Sequence, residues 1–503
     1  MSPGSKVTSQ TCIWLVLISI LVIRLLFLGA YPLADTTEAR YGEMGRLILD
    51  TGDWITPQIS KGVPFWGKPP LSFWLTAVSY KLLGVNEFSA RLPSFLLSVL
   101  VIVLVWKTAI FQADRSTALM ACAVMASSVV FWVSSGAVMT DLCLMAGTTI
   151  SMVSFWRCVK SPCRKEYGWG ILFFVGLAIG LMAKGPIAAV LIFLPVLTWS
   201  LFQKDRSVML KKLPWVTGGV VTLLLTIPWY WMAEMKTPGF LEYFFVGEHI
   251  KRFLVPGWTG DLYGSGHSQP KGMIWLFWLI GDFPWSFILA FQIKNKTIRQ
   301  KITAKIKEKD GWYLYLVLWA AAPMIFFTLA GNILWVYVLP GIPAFSLLAA
   351  EILRLHGNEK HHKVIKKASG VMAAVFLMVS FVVLLGVGPA QKSQKQMIEI
   401  FNRLNNGSEG KLSYLFKRPF SAEFYSRGSA AEIISASQLN ALFANTHKDY
   451  LVIKKRYLQQ IPEQMIGRFE KIEKINGYYI FVEKHYNKHS PNLRPGLLSC
   501  IRM

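Results

Sequence analysis

Long apolar runs recur along the chain, separated by short polar segments. The first run, 11–30, is long enough to cross a bilayer, since about 20 helical residues span the hydrocarbon core. Its single preceding lysine, its internal arginine and the lack of a small-residue cleavage site favour a retained helix over a signal peptide. Further runs follow at 91–110, 116–133, 138–156, 169–184, 187–203, 214–232, 272–291, 312–330, 334–353 and 368–388. The pattern predicts a polytopic α-helical membrane protein with about eleven spans, or up to thirteen if short runs split.

Two segments in the first long polar stretch, 31–90, have a different pattern. The segment 37–50 is amphipathic, with apolar residues on one side and charges on the other. The segment 71–83 is apolar and aromatic, and it follows Pro69-Pro70. Both are too short or too charged to cross the bilayer, so the sequence predicts helices lying in the membrane interface.

From about 390 onward the composition becomes that of a soluble domain. The segments 451–453 and 478–482 predict short strands in a small α/β domain. The predicted domains are therefore a transmembrane domain, 1–388, which includes outer loops 31–90 and 232–271, and a soluble α/β domain, 389–503.

The positive charge indicates membrane orientation. Lys and Arg number 53 against 28 Asp and Glu, a net charge of +25 over a chain that is 53% hydrophobic. In a soluble protein that excess would suggest nucleic acid, but here the cations lie in short loops between apolar runs. A cytoplasmic N-terminus places every cationic loop inside, namely 107–115, 157–165, 204–212, 294–309 and 354–367. The long loops and the tail then lie outside, which is the periplasm if the membrane is a bacterial inner membrane. No nucleic-acid partner is predicted.

The six cysteines, at 12, 122, 143, 158, 163 and 500, form no CxxC pair, and most lie in or beside apolar runs. The sequence indicates neither a disulfide framework nor a cysteine zinc site.

Several polar residues of the outer loops are candidates for chemistry. Asp35, Glu38 and Arg40 follow the first span, where a carboxylate can act as a general base; a helix cap is the simpler interpretation. Lys68 lies on a proline-rich turn beside two aromatics, where it suits a phosphate, although a snorkelling lysine looks the same. Asp141 is at the outer end of a helix and is either functional or a cap.

The second outer loop adds Glu248, His249 and Arg252, a possible metal ligand and an anion binder, although a lone histidine is more often not a ligand. Lys184 and Asp282 lie near helix breaks, where pairing with freed backbone groups would explain either without function. Together these loops bring polar groups to one membrane surface, which favours a site at the outer interface over a path through the bilayer.

An ordered set of motifs now becomes recognisable. It consists of Asp35 with Thr37-Glu38-Ala39-Arg40-Tyr41, then 51–57, Lys68-Pro69-Pro70-Leu71, Arg91-Leu92-Pro93, Asp141, 183–186, 248–253 and Tyr337-Val338-Leu339-Pro340. This set resembles the dolichyl-phosphate-mannose-protein mannosyltransferase superfamily, and most closely its bacterial 4-amino-4-deoxy-L-arabinose lipid A transferases, which have the GT-C fold.

The resemblance implies an inner-membrane glycosyltransferase that moves a sugar, with inversion, from a polyprenyl-phosphate carrier to lipid A, another envelope glycan or a protein. It implies catalytic roles for Asp35, Glu38 and Asp141, carrier-phosphate binding by Arg40, Lys68, Arg252 and Tyr337, and possible substrate or metal contact by Glu248 and His249. A flippase for lipid-linked sugars is the alternative, but no paired halves with matching broken helices are evident. A membrane scaffold would leave the clustered charges unexplained.

Two departures from that pattern bear on the site. Gly67 stands before Lys68 where the aminoarabinose transferases usually have a metal-binding glutamate, so a divalent metal stays possible but no zinc site with His249 is predicted. Asn332-Ile333-Leu334-Trp335 replaces a Ser-Lys-Leu-Pro run, so one phosphate-binding cation is expected to be missing. A sugar other than aminoarabinose therefore remains open.

Overall fold

The computed structural model describes residues 3–160, 167–207, 211–264, 266–308, 310–355, 360–443, 447–461 and 466–484. Cys163 and Cys500, and the loop cations Arg164, Lys165 and Lys309, lie outside them. The chain divides into two compact units, a membrane unit (Met1–Ala30 with Leu47–Phe381) and a sheet unit (Tyr31–Arg46 with Val382–Met503). The start of the first outer loop is thus grouped with the tail, and the domain boundary at 388 stays a prediction.

The membrane unit is helical because its sequence consists of apolar runs too long for strands. Its longer helices are Pro3–Leu26, Leu71–Leu83, Glu87–Gln112, Arg115–Ala126, Asp141–Lys160, Tyr167–Lys184, Ile187–Leu201, Trp215–Lys236, Lys296–Ile306, Trp312–Thr328, Ile342–Arg354 and Lys360–Leu384. Shorter helical elements are Val129–Ser134, Glu242–Lys251, Arg252–Leu254, Met273–Gly281, Trp285–Ile293 and Trp335–Gly341. The predicted interfacial helices form as Thr37–Thr51, which begins in the sheet unit, and Leu71–Leu83.

The protein is a multi-pass membrane protein. Among the described residues, six helices are long and apolar enough to cross a membrane: Glu87–Gln112, Asp141–Lys160, Tyr167–Lys184, Trp215–Lys236, Trp335–Arg354 and His362–Lys392. A bent pair, Met273–Gly281 and Trp285–Ile293, would make a seventh. The predicted count of about eleven also needs the shorter apolar helices Gln10–Leu26, Arg115–Ala126, Ile187–Leu201 and Trp312–Thr328 to cross.

Two predicted straight spans are broken. The run 272–291 bends by 104° between its two halves, where Pro284 lacks the N–H that would continue the helix. The run 116–133 is interrupted after Ala126, where the Ser127 and Ser128 hydroxyls donate to the carbonyls of Ala123 and Val124, at 2.5 and 3.1 Å. Such back-bonding of serine to the preceding turn bends helices. Apolar periodicity alone did not reveal either break.

The helices Asp141–Lys160 and Tyr167–Lys184 pack closely along their length because small residues face each other. A Cβ added to Gly147 would lie 2.7 Å from the backbone nitrogen of Gly180. The Ser151 hydroxyl donates to the carbonyl of Phe173 at 2.8 Å across the same contact. Because the two helices run antiparallel, the first residue of one and the last residue of the other, Asp141 and Lys184, lie at the same end.

The first outer loop also contains a hairpin of β1 (Gln58–Ser60) and β2 (Val63–Pro64) in the membrane unit. The sheet unit holds the five strands β3 (Leu412–Leu415), β4 (Ala431–Ile433), β5 (Tyr450–Lys454), β6 (Phe469–Ile475) and β7 (Tyr478–Glu483), in the order β4-β3-β5-β7-β6. The predicted strands are confirmed as β5 and β7, which pair antiparallel. Helices Lys395–Asn405, Phe420–Tyr425 and Ala436–Phe443 complete the α/β unit.

Alternate residues of the strands face two hydrophobic cores. Tyr414, Val452 and Ile480 point to one face of the sheet, and Leu415, Leu451 and Phe481 point to the other. Cover on both faces of the sheet explains why β5 and β7 contain continuous apolar runs, 451–453 and 480–482, without alternation.

Candidate active site

The membrane unit contains a cavity of about 210 Å³. The polar side chains of its lining are Lys68, Asp141, Lys184, Glu248, His249, Arg252, Asn332 and Tyr337. The remaining lining is apolar and comes from Leu144, Pro186, Ile187, Val190, Phe253, Phe326, Phe327 and Pro340. A cavity lined by both cations and apolar side chains fits an amphiphilic ligand that has an anionic group.

Glu248 holds two cations at the cavity. Its Oε2 lies 2.9 Å from Lys68 Nζ, and its Oε1 lies 3.0 Å from Arg252 Nη1. Arg252 also pairs with Asp261 Oδ2 at 3.2 Å, and the Tyr243 hydroxyl donates to Glu248 Oε1 at 3.4 Å. Because Glu248 and Arg252 are four residues apart on one helical face, and Lys68 comes from the first outer loop, the network joins the two outer loops.

The charges of Glu248, Lys68 and Arg252 stabilise one another. Burial opposes the charge of Glu248, but Lys68 and Arg252 outweigh it and hold the pKa of Glu248 below its usual value. Burial likewise opposes the charge of Arg252, and Glu248 is the main group that raises the pKa of Arg252. Both groups therefore stay ionised at neutral pH, and the cations are held in place before any ligand binds.

A second ion pair lies on the same cavity. Lys184 Nζ is 2.6 Å from Asp141 Oδ1 and 4.6 Å from the centre of the Tyr337 ring. Asp141 opens its helix, and Gly185, with a φ of +72°, ends the helix of Lys184. The ammonium group of Lys184 therefore has a carboxylate partner at the helix break. The freed carbonyl of Lys184 contacts a ring nitrogen of His249, at 3.0 Å.

The remaining predicted residues lie in the sheet unit. Asp35 Oδ1 accepts from the Ser421 backbone N–H at 2.9 Å, and Asp35 Oδ2 accepts from the Ser421 hydroxyl. Burial raises the pKa of Asp35 above its usual value despite these bonds. Glu38 Oε2 accepts from the Ala34 backbone N–H at 3.3 Å, which suits the cap interpretation for Glu38 but not for Asp35. Arg40 lies over the rings of Tyr41 and Phe420, at 5.0 and 5.8 Å.

The family model for dolichyl-phosphate-mannose-protein mannosyltransferases matches residues 9–244. Similar proteins include two undecaprenyl phosphate-alpha-4-amino-4-deoxy-L-arabinose arabinosyl transferases. The one from Aeromonas salmonicida is 27% identical over 74% of this chain and 66% of its own length. The one from Erwinia tasmaniensis is 29% identical over 68% of this chain and 60% of its own length. The chain thus matches less than two thirds of either relative.

Solved structures give the fold. The crystal structure of ArnT from Cupriavidus metallidurans bound to undecaprenyl phosphate superimposes with a TM-score of 0.76 and 18% identity, over 93% of this chain and 97% of that chain. The oligosaccharyltransferase AglB from Archaeoglobus fulgidus superimposes with a TM-score of 0.52 and 11% identity, over 88% and 69%. This chain has the GT-C fold of these structures and is similar in sequence to the aminoarabinose transferases. The resemblance and the fold class predicted from the sequence are confirmed.

The metal that this resemblance implies does not fit the residues of the GT-C protein. A Cβ on Gly67 would lie 2.8 Å from the Phe65 ring, so the missing glutamate has no room as the loop stands. Both ring nitrogens of His249 face backbone carbonyls, Nδ1 that of Phe244 at 2.7 Å and Nε2 that of Lys184 at 3.0 Å. Burial lowers the pKa of His249. A metal would have to displace one of these carbonyls, and no mechanistic step is assigned to it.

Sequence reasoning missed three residues of the GT-C protein's site. Asp261 pairs with Arg252, Tyr243 contacts Glu248, and Asn332 lines the cavity. Asp261 lies in a loop rich in glycine and aromatic residues, where no helical or strand periodicity distinguishes it from its neighbours. Asn332 was noticed only as the first residue of the run that replaces Ser-Lys-Leu-Pro. The available signal was the balance of charge. Two cations, Lys68 and Arg252, share one carboxylate, Glu248, so a further anion near Arg252 is needed.

Proposed function

We propose that this protein transfers a sugar from a polyprenyl-phosphate carrier to an acceptor in the bacterial cell envelope. The observation that carries the proposal is the cavity itself, which combines Lys68, Lys184 and Arg252 with an apolar lining. Cations and an apolar surface side by side match a lipid phosphate. The names of the relatives, which specify undecaprenyl phosphate and a sugar, support the same class of donor.

In this proposal the cations bind the carrier phosphate and stabilise its charge as it leaves. The acceptor oxygen bonds to the anomeric carbon of the sugar while the bond from that carbon to the phosphate oxygen breaks. The electron pair of the broken bond goes to the phosphate, and attack from the opposite face inverts the anomeric centre. Preorganised cations favour this step because they need no reorientation as charge develops.

A carboxylate takes the acceptor proton. We assign this role to Asp35, with Glu38 beside it, because the resemblance places catalysis in the first outer loop. The raised pKa of Asp35 makes its carboxylate a stronger base than an exposed aspartate. Asp141 assists by holding Lys184 at the cavity. Arg40 and Tyr337 remain proposed ligands of the carrier phosphate, and Glu248 orders Lys68 and Arg252 without binding the substrate anion itself.

The proposed location is the bacterial inner membrane, with a cytoplasmic N-terminus and with the site and C-terminal domain in the periplasm. The distribution of cationic loops supports this orientation. The acceptor is lipid A, another envelope glycan or a protein. A lipid-linked donor suits a site on that face, since nucleotide sugars are made in the cytoplasm.

The test uses the purified protein in liposomes with a radiolabelled polyprenyl-phosphate sugar pool from its own membranes. Label is followed into lipid A, glycan and protein fractions for wild type, Asp35→Asn and Lys68→Ala. Lys81→Ala, at an exposed lysine on the neighbouring interfacial helix, is the matched control. We expect transfer into one acceptor class, lost in the first two variants and kept in the control. Movement of the carrier across the bilayer without transfer to any acceptor would replace the enzyme by the flippase.

A further inference from the structure

The side chain of Asn332 forms hydrogen bonds with the backbone of Arg252 and of the residues that follow it. Its Nδ2 donates to the carbonyls of Arg252 and Val255, at 2.7 and 2.8 Å. Its Oδ1 accepts from the Gly257 backbone N–H at 3.0 Å. Both donors and one acceptor position of the amide are therefore used, and Asn332 is buried. An apolar side chain at this position would leave the N–H of Gly257 without this acceptor.

The surrounding backbone is built to bring Asn332 close. The Gly331 N–H donates to the carbonyl of Phe253 at 2.6 Å. A Cβ on Gly331 would lie 2.9 Å from the Pro256 nitrogen, and a Cβ on Gly266 would lie 2.7 Å from Asn332 Oδ1. Glycine at both positions is what allows these chain segments to approach. Asn332 therefore lies at a close backbone contact between the segment 252–257 and the turn 331–333.

This contact lies at the end of a helical segment, where backbone carbonyls need hydrogen-bond partners from outside the helix. The helical segment ends at Leu254, so the carbonyls of Arg252 and Val255 are among those that lose their intrahelical partners. Asn332 supplies those partners from outside the helix. Meanwhile Glu248 and Asp261 hold the guanidinium of the same Arg252. Arg252 is thus fixed at its backbone by Asn332 and at its side chain by the two carboxylates.

We infer that Asn332 is a positioning residue that places Arg252 for the carrier phosphate. The inference rests on the proposed function of Arg252 as a ligand of that phosphate. Asn332 acts on donor binding only through Arg252.

A double-mutant cycle tests this directly. The full-length protein in detergent is assayed for binding of radiolabelled undecaprenyl phosphate as wild type, Asn332→Leu, Arg252→Ala and the double variant. We expect Asn332→Leu to weaken binding by about tenfold, as loss of buried hydrogen bonds typically does. In the Arg252→Ala background the same change should weaken binding no further. In the transfer assay, KM for the donor should rise about tenfold while kcat changes by less than about threefold.

A milder variant guards against misfolding. Gly266→Ala places a methyl 2.7 Å from Asn332 Oδ1 and 3.0 Å from backbone atoms of Gly257 and Trp258 without changing the amide, whereas Gly219→Ala places the same methyl in open space. We expect the first to weaken carrier binding and the second to leave it unchanged. Equal losses from Asn332→Leu with and without Arg252 would overturn the inference and leave Asn332 a structural residue. Unchanged binding in Arg252→Ala alone would instead refute the proposed role of Arg252.

Discussion

At the scale of single residues, Asp35 combines burial with a proposed role as a base, which needs its charge. Burial raises its pKa, so the folded protein favours the protonated form more than the unfolded chain does. The wild type is therefore destabilised relative to a neutral residue as pH rises through the unfolded pKa of about 3.9 towards the folded value. Asp35→Asn can keep both contacts with Ser421, because the amide accepts from the N–H and donates to the hydroxyl.

We expect Asp35→Asn to abolish sugar transfer while leaving the unfolding temperature at pH 7 equal to or above that of wild type. Thermal unfolding in detergent and the transfer assay measure the two quantities. Ser421→Ala is the matched variant, since it removes the hydroxyl partner and leaves the carboxylate. A large loss of stability in Asp35→Asn would show that the residue is structural.

Glu248 has the opposite linkage. Lys68 and Arg252 hold its pKa below the usual value against burial, so its charge stabilises the folded protein above the unfolded pKa of about 4.3. This stabilisation disappears as pH falls through the lowered folded pKa. We expect wild type to lose unfolding temperature steeply below about pH 4, whereas Glu248→Gln should be less stable at pH 7 and show a flatter acid limb. Parallel acid limbs would contradict this assignment.

Metal removal gives a third residue-scale prediction. With glycine at 67 and both ring nitrogens of His249 facing carbonyls, the cavity is ordered by Lys68–Glu248–Arg252 contacts. We expect the transfer rate to stay within about twofold after treatment with EDTA or phenanthroline, a range set by experimental scatter. An aminoarabinose transferase that carries the glutamate is the natural comparison. Loss of transfer on chelation, restored by zinc, would contradict the expectation.

At the scale of elements, the close helix pair Asp141–Lys160 and Tyr167–Lys184 sets the Asp141–Lys184 contact. A Cβ on Gly147 would meet backbone atoms of Gly180 and Gly176, at 2.7 and 2.8 Å, and backbone cannot rotate away. We expect Gly147→Ala to lower the free energy of unfolding by about 1–3 kcal/mol and to reduce transfer. Gly168→Ala on the same helix pair meets nothing within 4 Å and should be silent. Equal stability of the two variants would show that the pair can separate without loss.

Most elements were predictable because their signal is local. Apolar runs predicted the spans, and 451–453 and 478–482 predicted two strands, since length and composition decide both. A break beside Asp282 was also expected, and the structure has one at Pro284. The break at Ser127-Ser128 was missed, because it depends on which groups accept the freed backbone bonds. Lys68, Glu248 and Arg252 were candidates from the sequence, but their shared cavity depends on contacts between loops far apart in the chain.

At the scale of the whole molecule, orientation decides which solution the cavity's loop faces. The helix Lys296–Ile306 exposes lysine and arginine and carries its apolar residues on one face, and the positive-inside rule predicts that it lies in the cytoplasm. The loop 252–271, which carries Arg252 and Asp261, should then face the periplasm. Envelope acceptors are available on the periplasmic face of the membrane. The proposed function therefore requires that the loop 252–271 lies on that face.

Single cysteines measure this orientation. We expect Thr259→Cys, exposed in the loop after Arg252, to react with a membrane-impermeant maleimide in intact cells. Thr297→Cys, exposed on the cationic helix, should react only after the membrane is opened. The parent protein, with its native cysteines, supplies the background. Labelling of Thr297→Cys alone in intact cells would invert the topology. The cavity's loop would then face the cytoplasm, and a periplasmic transferase would have to be abandoned even if the cavity binds a lipid phosphate.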